Sequence, residues 1–217
     1  MAIFHARNMQ MSDFIKENTN PNRLTIFYSM EALPHERLRR KHFPKNFFNI
    51  TMSYRRDSTI WKPYDRFEKL IGQETTEEFW TEKQINEKLS KKSKLAVQFV
   101  SHCETRSLRE QFIKKLDKYI NITTFGDCGN KTTDMKEQDI LDQYYFYFAF
   151  ENAVCKDYIT EKFWRLKHLI VPIVLKRSIL KGIIEDEYFI AADDFSTPEA
   201  LANKLSEISE NKTEYKK

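Results

Sequence analysis

The polar residues that follow an aromatic run in the second half of the chain have the types and spacing of a ligand site. Residues 145–150 (YFYFAF) form a run of six aromatic or apolar side chains, which is typical of a strand covered on both faces. Open α/β sheets bind ligands at the carboxyl ends of such strands. Thr160, Glu161 and Lys162 then fall in or beside the first turn of a predicted helix. Free backbone N–H groups and an ammonium at that position would favour a phosphate-bearing ligand.

Two further charged residues are candidates for chemistry, each with a structural alternative. Arg109 falls in the first turn of a predicted helix, where its guanidinium could bind two phosphate oxygens. It could equally be a surface arginine beside Glu110. Glu31 follows a predicted strand, where its carboxylate could act as a general base or lie simply in solvent.

Three residues near the aromatic run also have alternatives that the residue types leave open. Lys162 could pair with flanking carboxylates at helical spacing instead of binding phosphate. Asp157 could cap the helix that follows it. Glu151 could hold a nearby basic group.

The predicted elements alternate between strands and helices and would bring these groups to one edge of a sheet. From residue 95 onward, the pattern predicts strands at 95–100, 122–125, 145–150 and 171–175, and helices at 108–120, 160–168 and after Pro198. This alternation is typical of parallel βαβ units with right-handed crossovers, so the second lobe is predicted to be Rossmann-like. With 4 glycines the chain has no G-x-G-x-x-G fingerprint, which argues against a dinucleotide oxidoreductase.

The first part of the chain predicts a smaller lobe. Strands are expected at residues 23–28 and 46–52, followed by a polar connection over 72–94 that contains a helix at 77–89. We therefore divide the chain into a partial N-terminal lobe with its linker, residues 1–90, and a C-terminal lobe, residues 91–217.

The polar site residues closely resemble a family signature. Residues 150–152 (FEN) and 157–162 (DYITEK) are similar to the donor-site signature of the α1,3/4-fucosyltransferases, which use GDP-fucose. Other blocks of this family are matched in the same order by residues 29–35 (SMEALPH), 48–58 (FNITMSYRRDS), 100–103 (VSHC), 108–110 (LRE) and 125–129 (FGDCG). The family's counterpart of residues 108–110 is Gly-Arg-Glu, which selects Arg109 over Arg106. Residues 170–177 are most similar to nematode members.

The resemblance implies a fold, a reaction and a role for each candidate residue. The implied fold is α/β and GT-B-like, with two Rossmann-like lobes of which the N-terminal one is incomplete. The implied reaction transfers fucose from GDP-fucose, with inversion, to a hydroxyl of an N-acetylglucosamine-containing glycan in α1,3 linkage. Glu31 would be the catalytic base. The implied donor-binding residues are Arg109, Asn152, Tyr158, Glu161 and Lys162, with Arg109 and Lys162 on the diphosphate.

The residues and the resemblance say less about the acceptor side and about a requirement for cofactors. Tyr54, Arg55 and Glu151 could shape the acceptor side of the cleft, although a salt bridge at a strand end explains the SYRRD segment equally well. The chain contains no Asp-x-Asp pair, so we predict no metal site. The resemblance implies no required cofactor and leaves room for stimulation by a divalent metal.

Composition limits the compartment and the partners. The net charge of +4 is spread along the chain, without the basic and aromatic stripe of a nucleic-acid module, so no nucleic acid is expected. No apolar run is long enough to cross a bilayer. Family members are type II membrane proteins of the Golgi, so we expect a chain truncated at both ends, whose parent works in the Golgi lumen and whose membrane anchor is absent here. Cys103, Cys128 and Cys155 allow one disulfide and one thiol, or three buried thiols.

Two other functions remain compatible with the sequence. The chain could be a catalytically inactive fragment that binds a nucleotide sugar. It could also be a GT-B transferase that uses another nucleotide sugar. Turnover with GDP-fucose separates the first from the enzyme, and the choice of nucleotide sugar that stabilises the chain separates the second.

Overall fold

The computed structural model describes residues 1–10, 12–14, 22–32, 44–69, 79–129 and 133–216, and it divides the chain into two compact units. Unit 1 comprises Met1–Tyr64 and Cys155–Ile159, and unit 2 comprises Asp65–Val154 and Thr160–Lys217. The division into an N-terminal lobe, residues 1–90, and a C-terminal lobe, residues 91–217, stays a prediction. Within the described ranges, no helix is both long and apolar enough to span a membrane.

Unit 1 is built on a parallel sheet with the strand order β1-β2-β3-β4. Its strands are β1 (Ala2–His5), β2 (Thr25–Ser29), β3 (Ile50–Ser53) and β4 (Ile60–Trp61). The two predicted strands of this unit correspond to β2 and β3. The sequence did not indicate β1 and β4, because segments of four and two residues are too short to show a periodic pattern.

Aromatic rings form the core of unit 1. Phe4 and Phe14 are buried, and Phe47 and Phe48 pack against them. The ring centroids of Phe14 and Phe47 lie 4.9 Å apart in an edge-to-face arrangement, and those of Phe4 and Phe47 lie 5.2 Å apart. Edge-to-face pairs are worth about 0.5–1.5 kcal/mol beyond their buried area. This cluster holds the segment that precedes β3 against β1.

Unit 2 contains a parallel sheet with the strand order β6-β5-β7-β8-β9, which confirms the Rossmann-like prediction. Its strands are β5 (Lys94–Phe99), β6 (Ile122–Phe125), β7 (Tyr144–Phe148), β8 (Val171–Val174) and β9 (Ile190–Ala191). Its α-helices are α1 (Glu82–Lys91), α2 (Arg109–Leu116), α3 (Glu137–Leu141), α4 (Pro198–Glu210) and α5 (Lys212–Tyr215). The start predicted for α1, at residue 77, lies outside the described residues.

The segment after β7 differs from its prediction. A helix was expected over residues 160–168, but the structure has a 3₁₀-helix over Phe163–His168. The N–H of Phe163 donates to the Thr160 carbonyl at 3.1 Å, and the N–H of Leu169 donates to the Leu166 carbonyl at 2.8 Å. The helix ends at His168 and is followed by Leu169, which has a left-handed backbone with φ of 56°. The N–H of Thr160 donates to Glu151 Oε1 at 2.8 Å and that of Lys162 to the Thr160 hydroxyl at 3.4 Å, so these two N–H groups are not free for an anion as the sequence predicted.

The strand order places a topological switch point between β5 and β7. The chain passes from β5 through α2 to β6 on one side, and from β7 through the 3₁₀-helix to β8 on the other. In open α/β sheets, the crevice outside the carboxyl ends of two such strands is where ligands bind. The loops after β5 and β7 are therefore the ones that position the candidate donor site.

The core of unit 2 fixes the position of both loops. Phe146, Phe148 and Phe150 are fully buried together with residues of α2 and α4. On α4, Leu201 and Leu205 are buried and Ile208 packs against the same cluster, as the helical spacing predicted. The central strand is therefore covered as a continuous apolar run requires.

Leu108 occupies a strained backbone position at the start of α2, which leads to a stability prediction. Its φ is 55° and its side chain is 53% exposed, so a leucine gains little there from burial. A left-handed conformation costs an L-residue about 1–2 kcal/mol, while glycine adds about 0.5–1 kcal/mol of unfolded-state entropy. Leu108→Gly should therefore raise the free energy of unfolding by about 0.5–1 kcal/mol. Leu108→Ala is the matched control, because it keeps the strain. An equal gain in the two variants, measured by urea unfolding, would contradict the explanation.

Lys92 leads to a prediction about pH. Its side chain is buried and its ammonium donates to the Tyr144 carbonyl at 2.7 Å, with Lys88 and Asp142 nearby. Burial lowers the pKa of Lys92 from 10.5 to about 8, an effect that Asp142 opposes and Lys88 reinforces. The folded state therefore binds fewer protons than the unfolded state between these values, and its stability rises with pH across that window.

Replacing Lys92 with methionine tests whether Lys92 makes the stability of the folded state rise with pH. At pH 7, Lys92→Met should stabilise the chain by about 1–2 kcal/mol, since about 1.4 kcal/mol per pKa unit is offset in part by the lost hydrogen bond. The advantage should shrink as the pH rises from about 8 towards 10.5, because wild-type Lys92 becomes neutral in both states only above its unfolded-state pKa. Lys91→Met, an exposed neighbour on α1, should show neither effect. Thermal unfolding at pH 7 and pH 9.5 measures the difference, and a pH-independent gain would show that the charge is not responsible.

Candidate active site

A buried carboxylate organises the loop that follows β7. Glu151 is 5% exposed, and its Oε1 accepts a hydrogen bond from the Thr160 N–H at 2.8 Å. Its Oε2 accepts from the Thr160 hydroxyl at 2.9 Å and lies 3.6 Å from the Lys162 ammonium. Burial raises the pKa of Glu151, opposed by Lys162 and by the hydrogen bonds from Thr160. Glu151 therefore holds a basic group within unit 2, which is the alternative stated for it above, and we no longer expect it to contact an acceptor.

Lys162 lies in a position from which its ammonium can reach a ligand. Its side chain is 20% exposed, and Nζ lies 3.0 Å from Glu161 Oε1 and 3.2 Å from the Thr160 hydroxyl. The Glu161 side chain is 60% exposed, so it can move away from Lys162 without losing buried contacts. A phosphate oxygen could then replace the Glu161 carboxylate as the anionic partner of Lys162.

Arg109 occupies the first position of α2 and connects the two loops at the switch point. It is 4% exposed, and it donates from Nη1 to the Phe150 carbonyl at 2.6 Å and from Nη2 to the His102 carbonyl at 3.2 Å. The surface-arginine alternative is therefore wrong. Because the guanidinium binds one backbone carbonyl after β7 and one after β5, Arg109 supports both loops, and its contact with a diphosphate stays a prediction.

Ser107 adds a second connection between these loops that sequence reasoning missed. Its hydroxyl donates to the Glu151 carbonyl at 2.7 Å, and its N–H donates to the Asn152 carbonyl at 3.2 Å. The buried Oδ1 atom of Asn152 accepts no hydrogen bond within the described part of the chain. Unit 2 therefore gathers four of the predicted donor-binding residues at one sheet edge: Arg109, Asn152, Glu161 and Lys162.

The loops after β5 and β6 are joined covalently. Cys103 and Cys128 form a disulfide, and Cys155 is a free, half-buried thiol, which decides between the alternatives left open by the sequence. Gly126 precedes this disulfide with φ of 93°, and an added Cβ would lie 2.7 Å from the Val100 carbonyl oxygen. A larger residue would push the loop away from the end of β5.

Unit 1 carries a separate pocket at the carboxyl ends of β2 and β3. The cavity is about 240 Å³ in volume and is lined by Phe27, Ser29, Glu31, Thr51, Ser53, Tyr54, Arg55, Asp57 and Ser58. Its lining is rich in hydroxyl groups and contains the predicted base, Glu31. The rest of the segment that resembles the family's base block, from Leu33 onward, lies outside the described residues.

Arg55 and Asp57 form an ion pair beside this pocket. The Arg55 Nε donates to Asp57 Oδ1 at 2.7 Å, and this hydrogen bond holds the pKa of the Asp57 carboxyl below its usual range. The salt bridge proposed as an alternative for this segment is therefore present, and both of its members also line the pocket. Because the charges of the pair cancel, this wall suits a neutral, hydroxyl-bearing ligand.

The segment Cys155–Ile159 belongs to unit 1 although it lies inside the predicted donor signature. The Asp157 carboxylate accepts a hydrogen bond from the Arg56 N–H at 3.0 Å and lies 3.6 Å from Arg56 Nε. Asp157 is thus an anchor of this segment rather than the expected helix cap. Tyr158 packs with a ring-centroid distance of 4.9 Å against Tyr54, and its hydroxyl lies 3.3 Å from Glu31 Oε2.

We find no candidate metal site in the part of the chain that the structure describes. No three His, Cys, Asp or Glu side chains in those ranges come together as a metal site. The pair Asp193 and Asp194 contacts basic residues instead, with Asp194 bound by the Arg177 guanidinium. The prediction that transfer requires no metal stays a prediction.

Sequence comparisons identify the family. The family model described as "Glycosyltransferase family 10 (fucosyltransferase) C-term" matches residues 89–217, and "Fucosyltransferase, N-terminal" matches residues 1–65. Alpha-(1,3)-fucosyltransferase fut-1 of Caenorhabditis elegans is 34% identical over 212 residues, which cover 94% of this chain and 47% of that protein. Glycoprotein 3-alpha-L-fucosyltransferase A of Drosophila melanogaster is 36% identical over 206 residues, covering 88% and 38%. The chain thus spans about half the length of these relatives, or less.

Solved structures confirm the fold. An alpha1,3-fucosyltransferase crystallised with GDP-fucose matches with a TM-score of 0.63 and 18% identity, covering 90% of this chain and 66% of that chain. A crystal structure of alpha1,3-fucosyltransferase with GDP matches with a TM-score of 0.63 and 15% identity, covering 98% and 79%. These matches confirm the predicted GT-B-like α/β fold, and the match of the family model to residues 89–217 covers more than half of the sequence. The chain belongs to glycosyltransferase family 10, the fucosyltransferases.

Proposed function

We propose that this protein transfers fucose from GDP-fucose to a hydroxyl of an N-acetylglucosamine-containing glycan, in α1,3 linkage and with inversion. The observation that carries the proposal is the position of the donor-signature residues. Arg109, Asn152, Glu161 and Lys162 lie together at the switch point of a parallel sheet. GDP-fucose and GDP are the ligands named for the two crystal structures that share the fold.

The proposed reaction assigns a task to each unit. In unit 1, Glu31 takes the proton of the acceptor hydroxyl, whose oxygen then forms a bond to the anomeric carbon of fucose. The bond between that carbon and the β-phosphate oxygen breaks, and GDP leaves with the electron pair. In unit 2, the Lys162 ammonium stabilises the negative charge that develops on the diphosphate.

The acceptor is proposed to bind in the pocket of unit 1. Its volume of about 240 Å³ would hold about eight waters at ~30 Å³ each, which is the scale of one sugar residue. Hydroxyls of Ser29, Ser53 and Ser58 line it, and the Ser53 and Ser58 hydroxyls lie 2.6 Å apart. A neutral sugar ring can exchange hydrogen bonds with such a surface. We further propose that the protein works in the Golgi lumen and requires no divalent metal.

Two measurements test the proposal. Thermal unfolding should show stabilisation by GDP-fucose and GDP and none by UDP-sugars, because binding to the folded state alone raises stability. Incubation with GDP-fucose and an oligosaccharide acceptor should then release GDP and yield a fucosylated product.

The alternative is a protein that binds the donor without completing transfer. Stabilisation by GDP-fucose without product would identify such a donor-binding protein. Stabilisation by a different nucleotide sugar would identify a transferase of another specificity.

A further inference from the structure

We infer that Ser107 is a positioning residue of the donor site, which holds the backbone at Asn152 so that the amide oxygen of Asn152 can accept a hydrogen bond from the nucleotide sugar. The inference rests on the proposed function, in which the switch point of unit 2 binds GDP-fucose. The resemblance to the family gives Ser107 no role, because the matching block begins with the residue after it. The contacts of Ser107 within unit 2 point to the role.

The carbonyl groups that follow β7 need hydrogen-bond donors from outside the sheet. β7 ends two residues before Phe150, so these carbonyls lie beyond its ladder with β8. A buried carbonyl without a donor costs about as much free energy as a lost hydrogen bond. The Arg109 guanidinium donates to the Phe150 carbonyl at 2.6 Å. Ser107 supplies the next two donors, from its hydroxyl to the Glu151 carbonyl at 2.7 Å and from its N–H to the Asn152 carbonyl at 3.2 Å. Ser107 therefore holds two consecutive peptide groups of this loop.

The start of α2 determines the position of Ser107 in turn. The Thr105 hydroxyl lies 2.9 Å from the Ser107 hydroxyl, and Thr105 is buried. The Glu110 carboxylate accepts from the Thr105 hydroxyl at 2.9 Å and from the Thr105 N–H at 3.3 Å. Because Glu110 lies in the first turn of α2, the helix holds Thr105 and, through it, the Ser107 hydroxyl. A side chain supported in this way is placed more precisely than one on a loop by itself.

The amide oxygen of Asn152 indicates what this support achieves. Oδ1 is buried and accepts no hydrogen bond from the described part of the chain. A buried acceptor of this kind calls for an explanation, and a ligand that donates to it is one. The hydroxyl groups of ribose and fucose can donate to an amide oxygen, whereas an ionised diphosphate has no proton to donate. Asn152 therefore fits the sugars of the donor, and the Lys162 ammonium fits its diphosphate.

Ser107→Ala tests the inference, because it removes the hydroxyl and keeps the N–H that donates to Asn152. The Glu151 carbonyl then loses its donor, and the loop can shift by more than a hydrogen bond to the ligand tolerates. We expect the Kd of GDP-fucose, measured by calorimetry, to rise about three- to tenfold. Ser107→Thr keeps the hydroxyl and should retain the wild-type affinity.

Ser209→Ala is the matched control for Ser107→Ala. The Ser209 hydroxyl also donates to a backbone carbonyl, that of Ser206 at 2.8 Å, but it lies on α4. Its removal should leave the Kd of GDP-fucose unchanged. Affinities are compared at a temperature at which thermal unfolding shows every variant to be folded, so a loss of stability alone does not alter the Kd.

Two double-mutant cycles test whether Ser107 acts through Asn152. In the Asn152→Ala background, Ser107→Ala should raise the Kd no further, because the group that it positions has been removed. In the Lys162→Ala background the two losses should multiply, because Lys162 binds another part of the donor. Multiplicative losses with Asn152→Ala would overturn the inference.

Failure of the inference and failure of the proposed function give different results. If the wild-type chain binds GDP-fucose and Ser107→Ala binds it with the same Kd, the inference alone is wrong. If the wild-type chain binds no GDP-fucose, the proposed function is wrong and the inference falls with it.

Discussion

Glu31→Gln is expected to lower the rate of fucose transfer by about 10²–10⁴, the usual effect of removing a general base. Glutamine has the shape of glutamate but cannot take the proton of the acceptor hydroxyl. Glu31 lies in the pocket of unit 1, at the carboxyl end of β2 and beside the hydroxyl groups of Ser29 and Ser53. Because this substitution removes basicity and little else, the loss should appear in kcat. Steady-state kinetics with GDP-fucose and an excess of acceptor measures it.

Donor affinity is the internal control for this experiment. The donor is proposed to bind unit 2, so Glu31→Gln should keep the Kd of GDP that the wild-type chain has. A variant that retains more than about a tenth of the wild-type rate would show that Glu31 is not the base. Glu151 would be a poor replacement, because it is buried and both of its oxygens accept hydrogen bonds from Thr160.

Lys162→Ala is expected to weaken the binding of GDP by about 1.5–3 kcal/mol, the range for a charge-assisted hydrogen bond. This corresponds to a Kd about 10–150 times higher. The substitution removes the partner of the exposed Glu161 and also the ammonium 3.6 Å from the buried Glu151, so the free energy of unfolding is measured beside the affinity. Calorimetry with GDP and GMP measures the effect. The binding of GMP should change less, if Lys162 contacts the β-phosphate.

Lys167→Ala is the matched control, since Lys167 lies on the 3₁₀-helix that directly follows Lys162 and its side chain is mostly exposed. It should leave the affinity for GDP unchanged. Arg109 is less suitable for this test, because its guanidinium also donates to the carbonyls of Phe150 and His102. Arg109→Ala would leave both carbonyls without this donor and would destabilise the loops. If Lys162→Ala destabilises the fold and leaves GDP binding intact, Lys162 is a structural partner of Glu151.

Most of unit 2 could be predicted from the sequence because its elements leave strong local patterns. The aromatic run of β7, the apolar positions Leu201, Leu205 and Ile208 of α4, and the strand Ile122–Phe125 were all placed correctly. A buried strand and an amphipathic helix each require a periodic set of apolar residues, and that requirement is visible in the chain. The buried position of Arg109 at the start of α2 could not be predicted from its local pattern, which fits a surface arginine equally well.

The sequence by itself determined the family, the parallel sheet of unit 2 and the candidate residues, because these depend on local patterns and on motifs within short segments. Only the tertiary structure decided how those residues are used. Glu151 binds Thr160, and Asp157 binds Arg56 across 101 residues of sequence. Tyr158 thereby joins unit 1 although its neighbours Asn152 and Lys162 lie in unit 2. Hydrogen bonds between residues so far apart in sequence leave no periodic trace, since a single buried partner is enough to redirect a loop.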